Sequence, residues 1–502
     1  MDNQFPLSSP SSPVSQTPLP DAYTPSPLPT PEEAPPPPAN YIAPASETPP
    51  QPTNSPLKII LPILAGLLVI GLIIFFILRL FSSNKAGTES ISSTSKNVVT
   101  LTYWGLWEPV NVIQSVISDF EAENPGIKIN YQQQSAPDYQ ERALTTLDSD
   151  SVPDIIRLHT TWLPLFATKL SISPANTVSA ASIQNNFPEI VNKLLVVNNQ
   201  VYGVPVTVDG LGLYVNTAMF QQRSLEMPTT WNDVLDAAKT LKEVDALSGK
   251  LTRAGIALGN TTNVDHWPDI VSLMLLQAGV KLTDIQASAA EVEATLSFYT
   301  DFVTKNRVWD DTMPTSTVAF ANERVAMMLA PLWRAPEIKQ INPTLAWKIL
   351  PVPQLPKSDT VNWASIWFEA VPKNSKHSKE AWKFIEFLSS AKAQQKLFET
   401  AAKEREFPQA PAHKSLQAIA QANPYVAPYM ASMTTARAFY TASDTKDAST
   451  ALNARLIKYL EDAVNGISRR QEIAATIETL ANGFNQVLSQ YGLVSPASTT
   501  TR

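Results

Sequence analysis

Apolar positions along the chain fall into two regimes. From Ile59 to Leu78 every residue is uncharged and nearly all are Ile, Leu, Val, Phe, Ala or Gly. That is about 20 residues, the length of a helix spanning the hydrocarbon core of a bilayer. From Val98 onward, strand-like and helix-like periods alternate. Val98 to Trp104 is β-rich, and Pro109 to Glu123 places Val110, Ile113, Ile117 and Phe120 on one helical face, with Pro109 in the first turn. Pro125 and Gly126 break the chain. Ile127, Ile129 and Tyr131 alternate as a strand, Asp138 to Leu147 reads as a helix, and Ile155 to Leu158 is a short buried strand. This β-α-β-α-β opening predicts a parallel sheet covered by helices. Thr230 and Asp233 have capping-box spacing, so a helix is expected from about Trp231; Ser378 similarly precedes a helix carrying Trp382, Ile385 and Leu388. Long helical patterns occupy 289–304 and 450–489. A region of this size exceeds one core, which predicts two α/β lobes.

Composition changes the picture at the N-terminus. Eighteen of the 42 prolines fall in the first 56 of the 502 residues, among Ser, Thr and Ala, a composition that cannot bury enough apolar surface to offset ordering entropy. Residues 1–56 are therefore expected to be a disordered Pro-rich tail, with a docking ligand for an aromatic groove as the alternative. Residues 57–81 are expected to form a single transmembrane helix, uncleaved because it starts too far from the N-terminus for a signal peptide. Residues 82–97 make a Ser-rich flexible linker. Lys58 precedes the apolar span whereas Arg79, Lys85 and Lys96 follow it, a bias that on its own favours a cytoplasmic C-terminal part.

Lys and Arg total 38 against 45 Asp and Glu, a formal charge of −7, so a nucleic-acid partner is disfavoured. The chain has no cysteine, which excludes disulfides, thiolate metal sites and a Cys nucleophile. Phosphate-loop, zinc-protease, serine-hydrolase and EF-hand motifs are missing, and the four histidines lack metal-ligand spacing. Neither a catalytic set nor a cofactor is expected. His377 and His413 sit in polar contexts and read as solvated. Tryptophan is the informative residue: all 11 lie between Trp104 and Trp382. Trp231, Trp309, Trp347 and Trp382 fall within element patterns and are expected in the core. Trp104, Trp107, Trp162, Trp267, Trp333, Trp363 and Trp367 have polar or loop neighbours, where packing and stacking against a sugar ring are both open.

Several segments, in order, resemble the extracellular solute-binding proteins of carbohydrate ABC transporters, the family that includes maltose-binding protein. They are TYWGLWEP and FEAENPGIKIN, VPDIIRL, VYGVPVTVDGLGLYVNTAMF, MPTTWNDVLDAAKTL, AFANERVAMMLAPLW, WFEAVPKNSKHSKEAWKFIEFLSS and the closing NGISRRQEIAATIETLANGFNQVL. The resemblance spans nearly the whole region after Val98. It departs at Asn322 and Glu323, where the family usually has Gly-Lys or Gly-Arg, and in the lack of a cysteine for a lipid anchor, a role the transmembrane helix would take.

The resemblance implies a two-lobed α/β periplasmic-binding-protein fold (type II, a Venus-flytrap clamp) over 98–490, with a disordered C-terminus at 491–502. Lobe crossings are expected near 204–209, 362–367 and 405–430, with ligand in the cleft. It implies that Asp209 accepts sugar hydroxyls; a turn Asp before Gly210 is the alternative. The first-lobe binding loop corresponds to His159, Thr161 and Trp162. His266, Trp267, Trp333 and Arg334 correspond to second-lobe positions, and Tyr440 lies near a final stacking ring. Trp104, Trp107 and Glu108 follow the first strand, where ligands of open α/β sheets bind; Trp363 and Trp367 flank a crossing. Arg334 and His266 leave room for an anionic ligand. The expected function is a membrane-tethered, extracytoplasmic solute-binding subunit that captures a sugar or oligosaccharide and delivers it to ABC permease subunits, with the N-terminal tail cytoplasmic and no enzymatic activity. The alternatives are a stand-alone receptor or adhesin for a glycan, and an extracytoplasmic glycosidase.

Overall fold

A computed structural model describes residues 98–495. The expected Pro-rich tail, transmembrane helix and linker lie outside the described residues, among which no helix is long and apolar enough to cross a membrane.

Val99–Gly105 forms the first strand, turning Leu101 and Tyr103 into the core and Thr102 and Trp104 away from it. It pairs in parallel with Ile127–Gln133 on one side, Leu101 opposite Ile129, and with Ile155–His159 on the other. Trp367–Pro372 and Leu170–Ser171 extend the sheet antiparallel to five strands. The Val110–Glu123 helix buries Val112, Ile113, Val116, Ile117 and Phe120. Pro109 is its N-cap rather than part of its first turn, and Val110, the first helical residue, lies at the rim of the buried face and is 52% exposed. In the middle of this sheet Arg157 and Glu369 sit opposite each other and are both buried; Arg157 Nε and Nη2 donate to Glu369 Oε1 at 2.9 and 2.5 Å.

A second five-stranded sheet runs in the order Trp347–Leu350, Gly212–Asn216, Val325–Ala330, Leu251–Ile256 and Glu243–Val244. The Trp231–Leu241 helix that packs on it begins at the expected residue, with Thr230 and Asp233 making the reciprocal capping box. Ser378, by contrast, is the first residue of its helix, and His377 is the N-cap. Trp231, Trp309 and Trp382 are buried with their indole N–H groups bonded to Gln277, Asn263 and Ser171. Trp347 is half-buried and stacks on Tyr214. The pattern over 450–489 divides into two helices, Leu452–Ser468 and Ile473–Gln490, at a turn where Arg470 has φ +59°. Their close approach needs Gly483: a Cβ there would lie 2.4 Å from the Tyr459 ring. Beyond them the chain, expected as a tail from 491, stays packed as far as Val494, with the Leu493 N–H bonded to the Leu488 carbonyl.

A third, small sheet joins the other two. Thr207–Gly210 leads by way of Leu211 into the second sheet, and Asn362–Ser365 leads by way of Ile366 back into the first; the two strands pair antiparallel, with Ser365 opposite Asp209. Ala410–Pro411 and Ala436–Arg437 flank them. The two strands pass so closely that a Cβ on Gly210 would lie 2.2 Å from the Trp363 carbonyl oxygen.

Candidate functional site

Where the joining strands emerge, both five-stranded lobes face a cavity of about 320 Å³. From the first lobe come Trp107, Tyr139, Trp162 and Trp367; from the second, Leu332, Trp333 and Pro336; from the joining strands and their neighbours, Thr207, Asp209, Ser365, Arg405, Phe407 and Gln409; and from the C-terminal segment, Asp444, Thr445 and Lys446. Trp367 sits at the junction of the aromatic wall. It meets Trp107 edge-to-face at 4.7 Å, Trp162 at 5.1 Å and the His159 ring at 5.0 Å, and its Nε1–H donates to Asp444. Trp162 is fixed from behind by its Nε1–H donating to Asp447 at 2.7 Å. On the opposite side Trp333 keeps 37% of its surface exposed, with the Arg334 guanidinium over its ring at 4.3 Å. Rings held this way present flat faces at little further entropic cost.

Asp209 lies on the Thr207–Gly210 strand and not in a turn. Its Oδ1 accepts the backbone N–H of Gly210 at 2.7 Å and of Leu332 at 3.2 Å, while Oδ2 is buried without a partner. Burial pushes its carboxyl up to about 7, against the backbone N–H groups of Gly210, Leu332 and Trp333 and with help from the field of Asp444. Asp444 accepts from Ser365 Oγ at 3.0 Å. His159 Nδ1 accepts the Thr161 N–H, so its Nε2–H donates to Ser365 Oγ at 3.0 Å, completing a chain from His159 through Ser365 to Asp444. Burial pulls His159 down to about 4 and His266 to about 3, the latter helped by Arg334. His266 is therefore neutral: its Nε2 accepts Arg334 Nε–H at 3.0 Å and its Nδ1–H donates to Ser443 Oγ at 2.7 Å.

Of the residues singled out from sequence, Trp107, Trp162, Asp209, Trp333 and Trp367 line the cavity. Glu108, His159, Thr161, His266 and Arg334 stand one layer behind. Glu108 holds the lining Arg405 through bonds of 3.0 and 3.2 Å, and Arg334 is bound to Glu337 at 2.6 Å as well as to His266. The other four lie elsewhere. Trp104 faces away and bonds Gln132, Trp267 begins a helix whose residues are nearly all buried, Trp363 is buried in the joining sheet, and Tyr440 packs on Phe439. His377, expected to be solvated, is 3.2 Å from Asp154. Tyr139, Ser365, Arg405, Phe407, Gln409 and Asp444 carried no signal; only the acidic spacing of Asp444 and Asp447 in the otherwise polar TASDTKD could have pointed to the last of them. Among the described residues no cluster of three His, Asp or Glu is placed to hold a metal ion.

The model of the bacterial extracellular solute-binding protein family matches residues 115–428, more than half of the chain. The chain belongs to this family. It is a family of binding proteins and not of enzymes. Among curated relatives, the multiple sugar-binding protein of Streptococcus mutans is 26% identical over 322 residues, covering 61% of this chain and 75% of the relative. Similar solved structures include the sugar-binding protein MalE of Xanthomonas citri (21% identity, TM-score 0.63, covering 78% of this chain and 98% of that one). The cyclic α-maltosyl-1,6-maltose binding protein of Arthrobacter globiformis is another (17% identity, TM-score 0.64, covering 78% and 100%). At these identities the structures establish the fold: two α/β lobes with a cleft between them.

Proposed function

We propose that this solute-binding protein captures a sugar or short oligosaccharide in the interlobe cavity and hands it to the permease of an ABC importer. The observation that carries the reading is the cavity itself: the accessible rings of Trp107, Trp367 and Trp333 from two lobes, with Trp162 buried against Trp367 and with Asp209, Ser365, Gln409 and Asp444 between them. Pyranose rings offer C–H faces to aromatic planes while their hydroxyls donate to carboxylates and amides. The volume lies at the small end of the range for small-molecule sites, roughly 300–1,000 Å³, which favours one or two sugar units over a long chain. Because wall residues come from both lobes, contacts are complete only when the lobes are together, so ligand shifts the clamp toward closure. The relatives' sugar-binding names support the same class.

The full chain, purified in mild detergent, is screened by thermal unfolding and Trp fluorescence against mono- and disaccharides. A true ligand at 100 times its Kd adds about 2.7 kcal/mol to stability. A well-folded chain that responds to no sugar refutes the reading.

The apolar span at 57–81 extends the proposal to a membrane tether with residues 82–502 outside the cytoplasm. A subunit that delivers solute to an importer faces outward, and this requirement outweighs the three-to-one bias of flanking positive residues. Protease added to intact cells is expected to remove a C-terminal tag and spare an N-terminal one; the reverse pattern overturns the topology.

A further inference from the structure

The charge around the cavity narrows the ligand class. Four carboxyl groups are gathered at or just behind its wall. Asp209 and Asp444 line it, Asp447 stands behind Trp162, and Asp269 accepts the Ser443 N–H one residue from Asp444. Asp444 is the centre of this group, its field reaching Asp209, Asp269 and Asp447 together with both buried histidines. Among the described residues, the only basic side chains within 4.0 Å of these carboxylates are His159, 4.0 Å from Asp444, and His266, 3.9 Å from Asp269. Both imidazoles are held neutral by the hydrogen bonds described above.

Permanent cations near the cavity are already engaged or lie at its edge. Arg405 is paired with Glu108, and Arg334 with Glu337 and His266. Lys446 is exposed. The remaining titratable groups facing Asp209 are the buried hydroxyls of Tyr214 and Tyr429. An anionic solute, for which Arg334 and His266 left room in the sequence, would meet two acids, with Lys446 at the cavity's edge the one lining cation not paired with an acid among the described residues. A neutral solute would leave Asp444 without a cationic partner and Asp209 in the protonated form that its burial favours.

Resting on the reading of the cavity as a solute site, we propose that its preferred occupant carries a protonated amine on a polyhydroxylated ring, an amino sugar, with the ammonium directed to Asp444 and the unpartnered Oδ2 of Asp209. Aromatic faces from Trp107, Trp333 and Trp367 receive the ring and the flank of the cation. Trp333 already holds one guanidinium on its face.

The test compares matched series on the full chain by calorimetry and thermal shift: D-glucose, D-glucosamine and N-acetyl-D-glucosamine; the galactose equivalents; and cellobiose against the chitosan disaccharide. At least one amine is expected to bind roughly tenfold or more tighter than its own neutral and N-acetyl forms, with affinity falling as salt rises. Asp444→Asn and Asp209→Asn, each checked for folding by circular dichroism, should reduce that preference to about twofold or less. A neutral or N-acetyl sugar that binds as tightly as its amine overturns the inference while leaving the sugar-site reading intact. Tight amine binding that neither substitution changes also overturns it. If no member of any series binds, the sugar-site reading fails and the inference fails with it.

Discussion

Between pH 6.5 and 8.5 the ligand-free protein should lose stability, and its buried acids set the size of the loss. Burial raises Asp209 from an ordinary value of 3.8 to about 7 and Asp269 from 3.8 to about 8, the field of Asp444 adding to both. A carboxyl that is harder to ionise when folded keeps a proton that the unfolded chain has released. Its contribution is thus fully present below about pH 3.8 and is lost as pH rises toward the folded value. The histidines act oppositely: His159 falls from 6.5 to about 4 and His266 from 6.5 to about 3, so their contribution is gained as pH rises to 6.5 and is complete there. Below pH 6.5 the two effects oppose and the profile is shallow. Above it only the acids matter, and at about 1.4 kcal/mol per proton per pH unit, half a unit for Asp209 and one and a half for Asp269 give roughly 1–3 kcal/mol once partial solvent access to Asp209 is allowed for. For a folded region of this size that corresponds to a Tm lower by about 1–4 °C. Thermal unfolding of the full chain at fixed ionic strength should show this fall, and the Asp209→Asn, Asp269→Asn double variant should flatten it. A Tm that is constant or rises from pH 6.5 to 8.5 refutes the assignment of these carboxyls as protonated in the apo state.

Three further outcomes separate packing from binding. Glu369→Gln removes the partner of a buried guanidinium and should cost about 3–5 kcal/mol by urea unfolding, whereas replacing Arg157 and Glu369 together with Met and Leu should recover most of it; equal cost in both variants contradicts the pairing argument. Trp333→Ala, at the most exposed cavity ring, should leave unfolding unchanged to within about 0.5 kcal/mol yet weaken the solute identified by the screen by roughly tenfold, measured by calorimetry. Glu323 has φ +58° just past the Ser316–Ala321 helix, a conformation that suits glycine, so Glu323→Gly should stabilise by about 0.5–1 kcal/mol in the same urea assay. This is a position where the chain departs from its family's usual glycine-containing pair.

What could be read from the chain depended on how local its cause was. The Thr230–Asp233 capping box needs only four residues, and the opening strands and helices announce their period within ten. The inward face of the Val110–Glu123 helix was less legible, because Val110 shares the apolar spacing of Ile113 and Ile117 yet lies at the rim of the face that is buried. The joining sheet, with strands of two to four residues, has too short a period to detect, although the close packing that demands Gly210 explains the DGLG run. Among the loop tryptophans, residue type alone could not distinguish Trp162, anchored by Asp447 285 residues away, from Trp363, which the joining sheet buries.

Asp444 is the sharpest instance of what local pattern conceals. Nothing in TASDTKD has a period, and three of its side chains find partners far away in sequence: Ser443 at His266, Asp444 at Ser365 and Trp367, Asp447 at Trp162. This one polar segment therefore touches the second lobe, the joining sheet and the first lobe within five residues. A solute that engages Asp444 bears on all three together, and a change there should alter affinity and lobe closure jointly. Asp444→Asn is accordingly expected to lose the fluorescence change that reports closure in the same proportion as it loses affinity. If it instead binds weakly but closes fully at saturation, the segment contributes contact energy alone and is not part of the clamp.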